Sequence, residues 1–212
     1  MFEGFTLRGR TRRHLYLGGH PVRWRFILDV LLHLRGDVFE YGLWRFSIPY
    51  GLLYIAEHAQ WNTDYTPPGG LVGKRVLDVG AGCGETAMWF LDQGARQVLC
   101  VENGSEARRY LERNARLNKG VSVLVDGFSP GEHLWYHVDL VKMDIEGYEV
   151  LFADWLETHP DYNVDVILEA HSVYVKDRFL KLGFTERIDP VFGIDPPWGL
   201  VSSARLMTRW KK

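Results

Sequence analysis

The sequence predicts an α/β fold with a doubly wound, mostly parallel sheet. After residue 70, strand-like and helix-like runs alternate with the regularity of βαβ units. The first of these strands leads directly into a glycine-rich loop and a helix, as in many ligand-binding sheets. Two further strand-like runs close the chain, and we expect the C-terminal strand to run antiparallel to its neighbours.

The alternating runs give the expected order of the elements. Strands are predicted at residues 75–79, 97–101, 121–125, 138–143, 164–168, 184–188 and 203–208. Helices are predicted at residues 85–93, 105–118, 148–158 and 173–182, with Ser105 as an N-cap and with helix ends marked by Gly94, Gly120 and Gly183. Right-handed crossovers would place the helices on both faces, and ligands of such sheets bind outside the carboxyl ends of the strands.

A Pro/Gly-rich break at residues 66–70 divides the chain into an N-terminal region, 1–66, and a sheet domain, 67–212. In the N-terminal region, apolar residues at 22–35 predict a helix and aromatic residues at 38–48 predict strands. These elements would form a cap region. The first 35 residues are also basic, with seven arginines against two acids, although the whole chain has a net charge of −2.

Length and composition limit the class of protein. With 212 residues, 46% of them hydrophobic and 25% charged, the chain can form one globular domain with a full core. Its two cysteines, Cys83 and Cys100, cannot form a disulfide framework, which favours a reducing compartment. The longest apolar run, residues 26–34, is too short to span a membrane, and we predict a cytoplasmic protein.

The most informative stretch is VLDVGAGCGE, residues 76–85. Its glycines permit a tight turn and let a ligand lie against the backbone, while the helix that follows offers free N–H donors. A dinucleotide fingerprint, G-x-G-x-x-G, would need a glycine where Glu85 stands, and the chain has no P-loop motif. The spacing therefore points away from the usual dinucleotide and nucleotide sites.

Four alternating residues resemble the first motif of class I methyltransferases that use S-adenosylmethionine (SAM): Asp78, Gly80, Gly82 and Gly84. The resemblance implies that the loop lies against the methionine end of SAM, with Asp78 and Glu85 near the ammonium group. It also implies that Glu102, at the end of the second strand, binds the ribose and that Asp126, after the third, contacts the adenine. Each acid alone has a second interpretation as a solvated strand end, but acids on three successive strands favour the binding role.

The stretch VKMDIEGYE, residues 141–149, resembles a strand-end motif of the FkbM family of methyltransferases. The resemblance covers about residues 65–184 and implies O-methylation of hydroxyl groups on natural products and sugars. Asp144 would then orient or deprotonate the acceptor, and Glu146 would assist it. Glu146 and Glu149 have a second interpretation, as acids that favour the start of the following helix.

Glu169 and His171 close the fifth predicted strand and would face the same site. His171 is a third catalytic candidate, as a base or as a hydrogen-bond partner of the substrate, although a lone histidine is more often packed or solvated. With Asp144, these residues could hold a divalent metal, because carboxylates and imidazole suit one. No ligand spacing supports a metal, and we predict none.

Two other features keep alternatives open. The letters IDPPWG, residues 194–199, contain the motif with which adenine-amine methyltransferases hold a base, but they fall between the final two predicted strands, where ordinary loop chemistry explains them. The arginines at 8–13 are compatible with RNA contacts, which makes RNA methylation the alternative function. A non-catalytic SAM-binding protein is the third. We predict a SAM-dependent O-methyltransferase acting on a small-molecule or glycan acceptor, with its oligomeric state open.

Overall fold

The structure, a computed structural model, describes residues 14–17, 20–23, 34–35, 38–41, 44–47, 65–124, 127–134, 137–186 and 205–211. Three sequence predictions lie outside these residues: the role of Asp126, the motif at 195–198 and the arginine-rich segment at 8–13.

Short antiparallel strands form the described part of the N-terminal region. The strands are β1 (His14–Leu17), β2 (His20–Arg23), β3 (Leu34–Arg35), β4 (Val38–Tyr41) and β5 (Trp44–Ser47). β1 pairs with β2, and β3, β4 and β5 form a second small sheet. The helix predicted at 22–35 is therefore wrong at both of its ends, which lie in β2 and β3, because cross-strand pairing outweighs local helical periodicity there. The strands predicted at 38–48 are confirmed as the β4–β5 hairpin.

The elements that follow alternate as the sequence predicts. They are β6 (Arg75–Val79), α1 (Glu85–Asp92), β7 (Gln97–Val101), α2 (Ser105–Leu117), β8 (Val121–Val123), α3 (Pro130–His133), β9 (Leu140–Met143), α4 (Glu149–Thr158), β10 (Asp165–Ala170), α5 (Val173–Lys181), β11 (Thr185–Glu186) and β12 (Arg205–Arg209).

One seven-stranded sheet carries the fold, in the order β11-β12-β10-β9-β6-β7-β8. β6 to β10 pair in parallel, whereas β12 runs antiparallel to both β10 and β11, which confirms the expected antiparallel C-terminal strand. The chain moves outward from β6 through β7 to β8 and then returns to β9 on the other side of β6. Strand order therefore reverses between β6 and β9, and ligands of such sheets bind outside the carboxyl ends at that point.

The core lies on both faces of this sheet. Successive residues of a strand point to opposite faces, so in β6 Val76 packs on the side that holds Phe90 of α1, and Leu77 on the side that holds Phe152 of α4 and Phe179 of α5. All five of these side chains are completely buried. Burial on both faces explains why the strands read as nearly continuous apolar runs. It also fixes the strand ends that carry the candidate site.

Helix ends follow local chemistry only in part. Ser172 caps α5, because its hydroxyl accepts a hydrogen bond from the backbone N–H of Val175 at 3.1 Å. Ser105, the predicted N-cap of α2, is instead the first helical residue, and the N-cap is Gly104, without a side-chain hydrogen bond.

The four-residue helix α3 was not predicted, because so short a run shows no period. None of the helices in the described ranges has the length and apolar character needed to cross a bilayer.

The β4–β5 hairpin contacts the sheet domain at the end of α2. The side chain of Asn118 accepts a hydrogen bond from the backbone N–H of Arg45 at 2.9 Å and donates one to the Arg45 carbonyl at 2.7 Å. The amide therefore satisfies both backbone groups of one strand residue, as a neighbouring strand would.

Candidate active site

The glycine loop leaves β6 after Val79 and closes against the end of β9. Gly80 has a φ of 73°, and a Cβ atom there would lie 1.7 Å from the backbone oxygen of Asp144. The backbone N–H groups of Gly80 and Ala81 donate to the Val101 carbonyl at 2.9 and 3.1 Å. Glycine is required at this position because one backbone lies directly on another. The contacts join the ends of β6, β7 and β9 where strand order reverses.

Asp78 lies beneath the loop, inside the protein. Its fully buried carboxylate is 3.1 Å from the ammonium of Lys142 and accepts a hydrogen bond from the Thr86 hydroxyl at 2.5 Å. Lys142 also donates to the Gly80 carbonyl at 2.9 Å. Burial alone would lower the pKa of Lys142, but the charges of Asp78 and nearby carboxylates raise it above its ordinary value. The enclosed carboxylate supports the loop from beneath, and the predicted contact between Asp78 and a cofactor stays a prediction.

Two other predicted acids shape the loop with their carboxylates. Glu102 accepts hydrogen bonds from the backbone N–H groups of Gly82 at 2.9 Å and Gly104 at 2.6 Å. Glu85 accepts one from Cys83 at 2.7 Å, and burial raises the pKa of Glu85 to about 7. Each carboxylate oxygen has a further lone pair, so Glu102 retains the capacity to accept hydrogen bonds from a ligand's hydroxyl groups.

A cleft of about 230 Å³ opens beside the loop, at the carboxyl ends of β6, β7 and β9. Four predicted site residues line it: Gly80, Glu102, Asp144 and Glu146. Gly82, Gly84 and Glu85 are not among the lining residues; Gly84 instead lets the loop pack on α2, because a Cβ there would lie 3.0 Å from the side chain of Leu111. A larger depression near Tyr162, at the opposite end of the strands, contains no predicted site residue.

Four acids and one histidine gather where β9 and β10 end. His171 Nε2 lies 3.4 Å from Asp144 Oδ1 and 3.6 Å from Glu146 Oε2, and His171 Nδ1 lies 2.8 Å from Glu149 Oε1. One donor atom from each of Asp144, Glu169 and His171 fits in a group whose members are all within 4.8 Å of one another. The structure therefore brings together Asp144, Glu146 and His171, which are the three predicted catalytic residues.

Glu149 belongs to this cluster, although the sequence favoured it only as an acid at a helix start. It is fully buried, and its Oε1 accepts hydrogen bonds from the backbone N–H groups of Ile145 and Gly147 at 3.2 and 3.3 Å. These bonds hold a turn in which Glu146 has a φ of 52°, a left-handed conformation that is uncommon for a residue with a side chain. Glu149 is the first residue of its helix, which does not match the spacing of a capping box, so no sequence signal identified this role.

The charges of the cluster influence one another. The hydrogen bond with Glu149 raises the pKa of His171 to about 9. Burial raises the pKa of Glu149, but the hydrogen bond from His171 and those from the backbone leave it below its ordinary value. Burial and the charge of Asp144 raise the pKa of Glu169, whose Oε1 accepts a hydrogen bond of 2.6 Å from the buried Tyr65 hydroxyl. The cluster as a whole therefore carries an excess of negative charge.

Comparison with known proteins identifies the fold. No family model matches the chain, and no curated protein is similar to it in sequence. A protein of Listeria monocytogenes assigned as an S-adenosylmethionine-dependent methyltransferase is similar with a TM-score of 0.52 and 13% identity, over 74% of this chain and 99% of that one. Precorrin-6y C5,15-methyltransferase of Geobacter metallireducens GS-15 is similar with a TM-score of 0.50 and 13% identity, over 78% and 90%. The chain has the Rossmann-like fold of class I methyltransferases.

Proposed function

We propose that this protein is a SAM-dependent methyltransferase that transfers a methyl group to a hydroxyl oxygen. The placement of Asp144 carries the proposal. Its backbone touches Gly80 in the glycine loop, and its carboxylate lies beside His171 at the mouth of the cleft. One residue thus joins the loop that would hold the cofactor to the acids that would meet the acceptor. The resemblance of this strand end to the FkbM family supports oxygen as the methylated atom.

The glycine loop and the cleft beside it suit the parts of SAM. The loop backbone would lie against the methionine portion, with Glu85 providing negative charge near its ammonium. Glu102 would accept hydrogen bonds from the ribose hydroxyls, since it lies at the end of β7 and lines the cleft. Contact between Asp126 and the adenine stays a prediction. Asp78 acts through the loop it supports. The fold is that of the Listeria protein, whose assigned cofactor is the one proposed for this chain.

The reaction would form an O–C bond as the C–S bond of the sulfonium breaks, and the electron pair of that bond stays on sulfur. The acceptor hydroxyl loses its proton in the same process. Asp144 would orient the acceptor, and Glu146, whose side chain is 86% exposed, would take the proton and release it to water. His171, whose Nε2 lies beside Asp144, would help to position the acceptor oxygen. Orientation of the acceptor along the C–S axis supplies a large part of the rate gain.

The surroundings of the cleft suggest the character of the acceptor. Tyr148 and Leu151 line the cleft and are 64% and 43% exposed, while Val173 and Tyr174, at the start of α5, are 70% and 66% exposed. Large apolar side chains exposed around a site are typical of ligand binding. They favour an acceptor in which a ring or another apolar face adjoins the hydroxyl group, such as a sugar, a natural product or a lipid-like molecule.

RNA methylation and cofactor binding without catalysis are the alternatives. The segment at 8–13 and the motif at 195–198, which would support a nucleic-acid acceptor, are outside the described residues, and nothing within those residues favours RNA. Loss of catalysis is disfavoured because Asp144 and Glu102 are both present at the cleft. The cytoplasmic location stays a prediction from cysteine content and hydropathy.

Transfer of label from methyl-labelled SAM to fractions of a host extract tests the proposal. We expect label in a small-molecule, glycan or lipid fraction, and about 100-fold less of it with Asp144→Asn, because the carboxylate acts on the acceptor. Asp177→Asn, which changes an exposed acid on α5, is the matched control. Nuclease-sensitive label would instead assign a nucleic acid as the acceptor. Equal labelling by wild type and Asp144→Asn would remove Asp144 from the chemistry.

A further inference from the structure

We propose that Asp144, Glu169 and His171 bind a divalent cation of the Mg²⁺ and Mn²⁺ class at the mouth of the cleft. The three residues lie at the carboxyl ends of neighbouring strands, Asp144 directly after β9, Glu169 near the end of β10 and His171 directly after it. This proposal departs from the sequence prediction of no metal, because the three residues meet only in the folded sheet. The role of the ion in catalysis rests on the proposed function, but the site itself depends only on these residues.

The distances fit a shared ion better than a set of hydrogen bonds. One donor atom from each residue lies within 4.8 Å of the other two, and His171 Nε2 lies 3.4 Å from Asp144 Oδ1. The two atoms form an ion pair while Nε2 carries a proton, and a cation bound between them would take the place of that proton. Ligands about 2.1 Å from one ion lie roughly 3 Å apart when they are adjacent in an octahedral shell, so small side-chain movements would complete the geometry.

Two carboxylate oxygens supply an independent observation. Asp144 Oδ1 and Glu149 Oε2 are both buried, and neither has a hydrogen-bond partner among the described residues. A buried carboxylate oxygen without a partner is costly, and a cation is one of the groups that satisfies it. The nearby ammonium of Lys142 is already bound to Asp78 and to the Gly80 carbonyl. Asp144 Oδ1 faces His171 Nε2 at 3.4 Å, inside the group of three ligand atoms that could meet at one ion.

Hydrogen bonds to neighbouring side chains also fix the orientation of two of the ligands, His171 and Glu169. His171 Nδ1 is 2.8 Å from the buried Glu149 carboxylate, which leaves Nε2 directed at Asp144. Glu169 Oε1 accepts the hydrogen bond of the buried Tyr65 hydroxyl, which fixes its side chain. A carboxylate behind a ligating histidine is the usual arrangement in protein metal sites, because it sets the tautomer and the orientation of the ring.

The donor set indicates the class of the ion. Two carboxylates and one imidazole, without a thiolate, suit a hard cation that also accepts nitrogen, and the open cleft leaves positions for water or an acceptor hydroxyl. A hydroxyl bound to such an ion loses its proton more readily. Asp144 would then orient the acceptor through the ion, and the exposed Glu146 would receive the proton.

Titration of the ligand-free protein with Mn²⁺ alone, followed by the electron paramagnetic resonance signal of the free ion, tests the site. We expect wild type to bind one Mn²⁺ per chain and Mg²⁺ to displace it. Asp144→Asn and Glu169→Gln should each weaken binding at least about tenfold. Asp177→Asn removes the same charge from an exposed position on α5 and should leave the affinity unchanged. Circular dichroism tests whether each variant is folded. If one of the two ligand variants does not fold, the other still tests the site.

The proposal is overturned if wild type does not remove Mn²⁺ from solution, or if both folded ligand variants bind it as wild type does. Equilibrium dialysis with labelled SAM separates this result from the proposed function. Binding of SAM without uptake of Mn²⁺ would reject the metal site and leave the cofactor assignment standing. Uptake of Mn²⁺ that depends on both ligands, without binding of SAM, would establish the metal site and reject the proposed function.

Discussion

At the scale of single residues, the glycine loop contains an acid whose ionisation opposes folding. Glu85 is partly buried against the loop, and burial raises its pKa from 4.5 to about 7. Between these values the folded state binds a proton more tightly than the unfolded state. The stability that Glu85 contributes is therefore full below pH 4.5 and is lost as the pH rises through 7. The proposed function gives this acid a role apart from stability, as the negative charge near the ammonium group of SAM.

We expect Glu85→Gln to stabilise the ligand-free protein at pH 8 by roughly 1–3 kcal/mol and to have little effect below pH 5. Glutamine is neutral, and its oxygen still accepts the hydrogen bond from Cys83. The same change should weaken SAM binding, because the charge opposite the ammonium is lost. Urea unfolding at both pH values and dialysis with labelled SAM measure the two effects, with the exposed Glu132→Gln as control. A stability difference that is the same at pH 5 and pH 8 would contradict the raised pKa.

The sequence predicted the positions of the acids better than their partners. Glu102 and Asp144 follow strand ends, so the alternation of elements was enough to place them at the cleft. Asp78 was assigned to the cofactor from its place in the glycine motif, and its contact with Lys142, which lies 64 residues further along the chain on another strand, was not predicted. Partners that far apart in sequence meet only when the sheet forms, which no local pattern reports.

At the scale of the elements, the glycine loop and the end of β9 form one unit. The loop rests on the turn after β9 at Gly80, and the Lys142 side chain ties the Gly80 carbonyl to the same strand. A shift of either element would therefore alter the cofactor loop and the acidic cluster together. This coupling explains why the two most informative motifs of the sequence lie on neighbouring strands.

Gly80→Ala tests that contact, with Gly73→Ala as a matched control. Both glycines have similar positive φ values, 73° and 76°, but a Cβ at Gly73 meets nothing within 4 Å, whereas one at Gly80 would lie 1.7 Å from a backbone oxygen. We expect Gly73→Ala to cost about 1–2 kcal/mol, from backbone conformation alone. Gly80→Ala should cost about 3–5 kcal/mol and abolish SAM binding. Equal losses of stability in urea unfolding would mean that the loop has room to move away from β9.

Elements were predictable where both faces of a strand are buried and a glycine or serine marks a boundary. β6, β7, β9 and β10 meet this condition, whereas β8 is only partly buried and is marked by the glycine before it. The predicted positions of these five strands agree with the structure to within two residues at every end. The predicted helix at 22–35 did not meet it, since its ends belong to short strands whose stability depends on pairing with neighbours. Local pattern is most informative where burial dominates.

At the scale of the whole molecule, the sheet is completed by β12, which is distant in sequence from β10, its neighbour in the sheet. β12 lies between β10 and β11 and pairs with β10 from Val166 to Ala170. The carboxylate of Asp165 then accepts hydrogen bonds from the backbone N–H of Lys211 and from the ammonium of Lys74, both at 2.8 Å. The sequence predicted a closing pair of strands but not this insertion, because the order of strands in a sheet depends on tertiary packing.

Deletion of residues 205–212 should therefore abolish cooperative folding. It would remove β12, expose the edge of β10, leave β11 without the strand it pairs with and take the fully buried Met207 from the core. An unpaired apolar edge promotes association between chains, so we expect insoluble protein. Deletion of residues 211–212 is the control, since it retains the strand and loses one backbone hydrogen bond to Asp165, worth about 1 kcal/mol. Soluble yield and urea unfolding measure both. A cooperative transition at the wild-type midpoint after the longer deletion would mean that the parallel strands form a complete folding unit without β12.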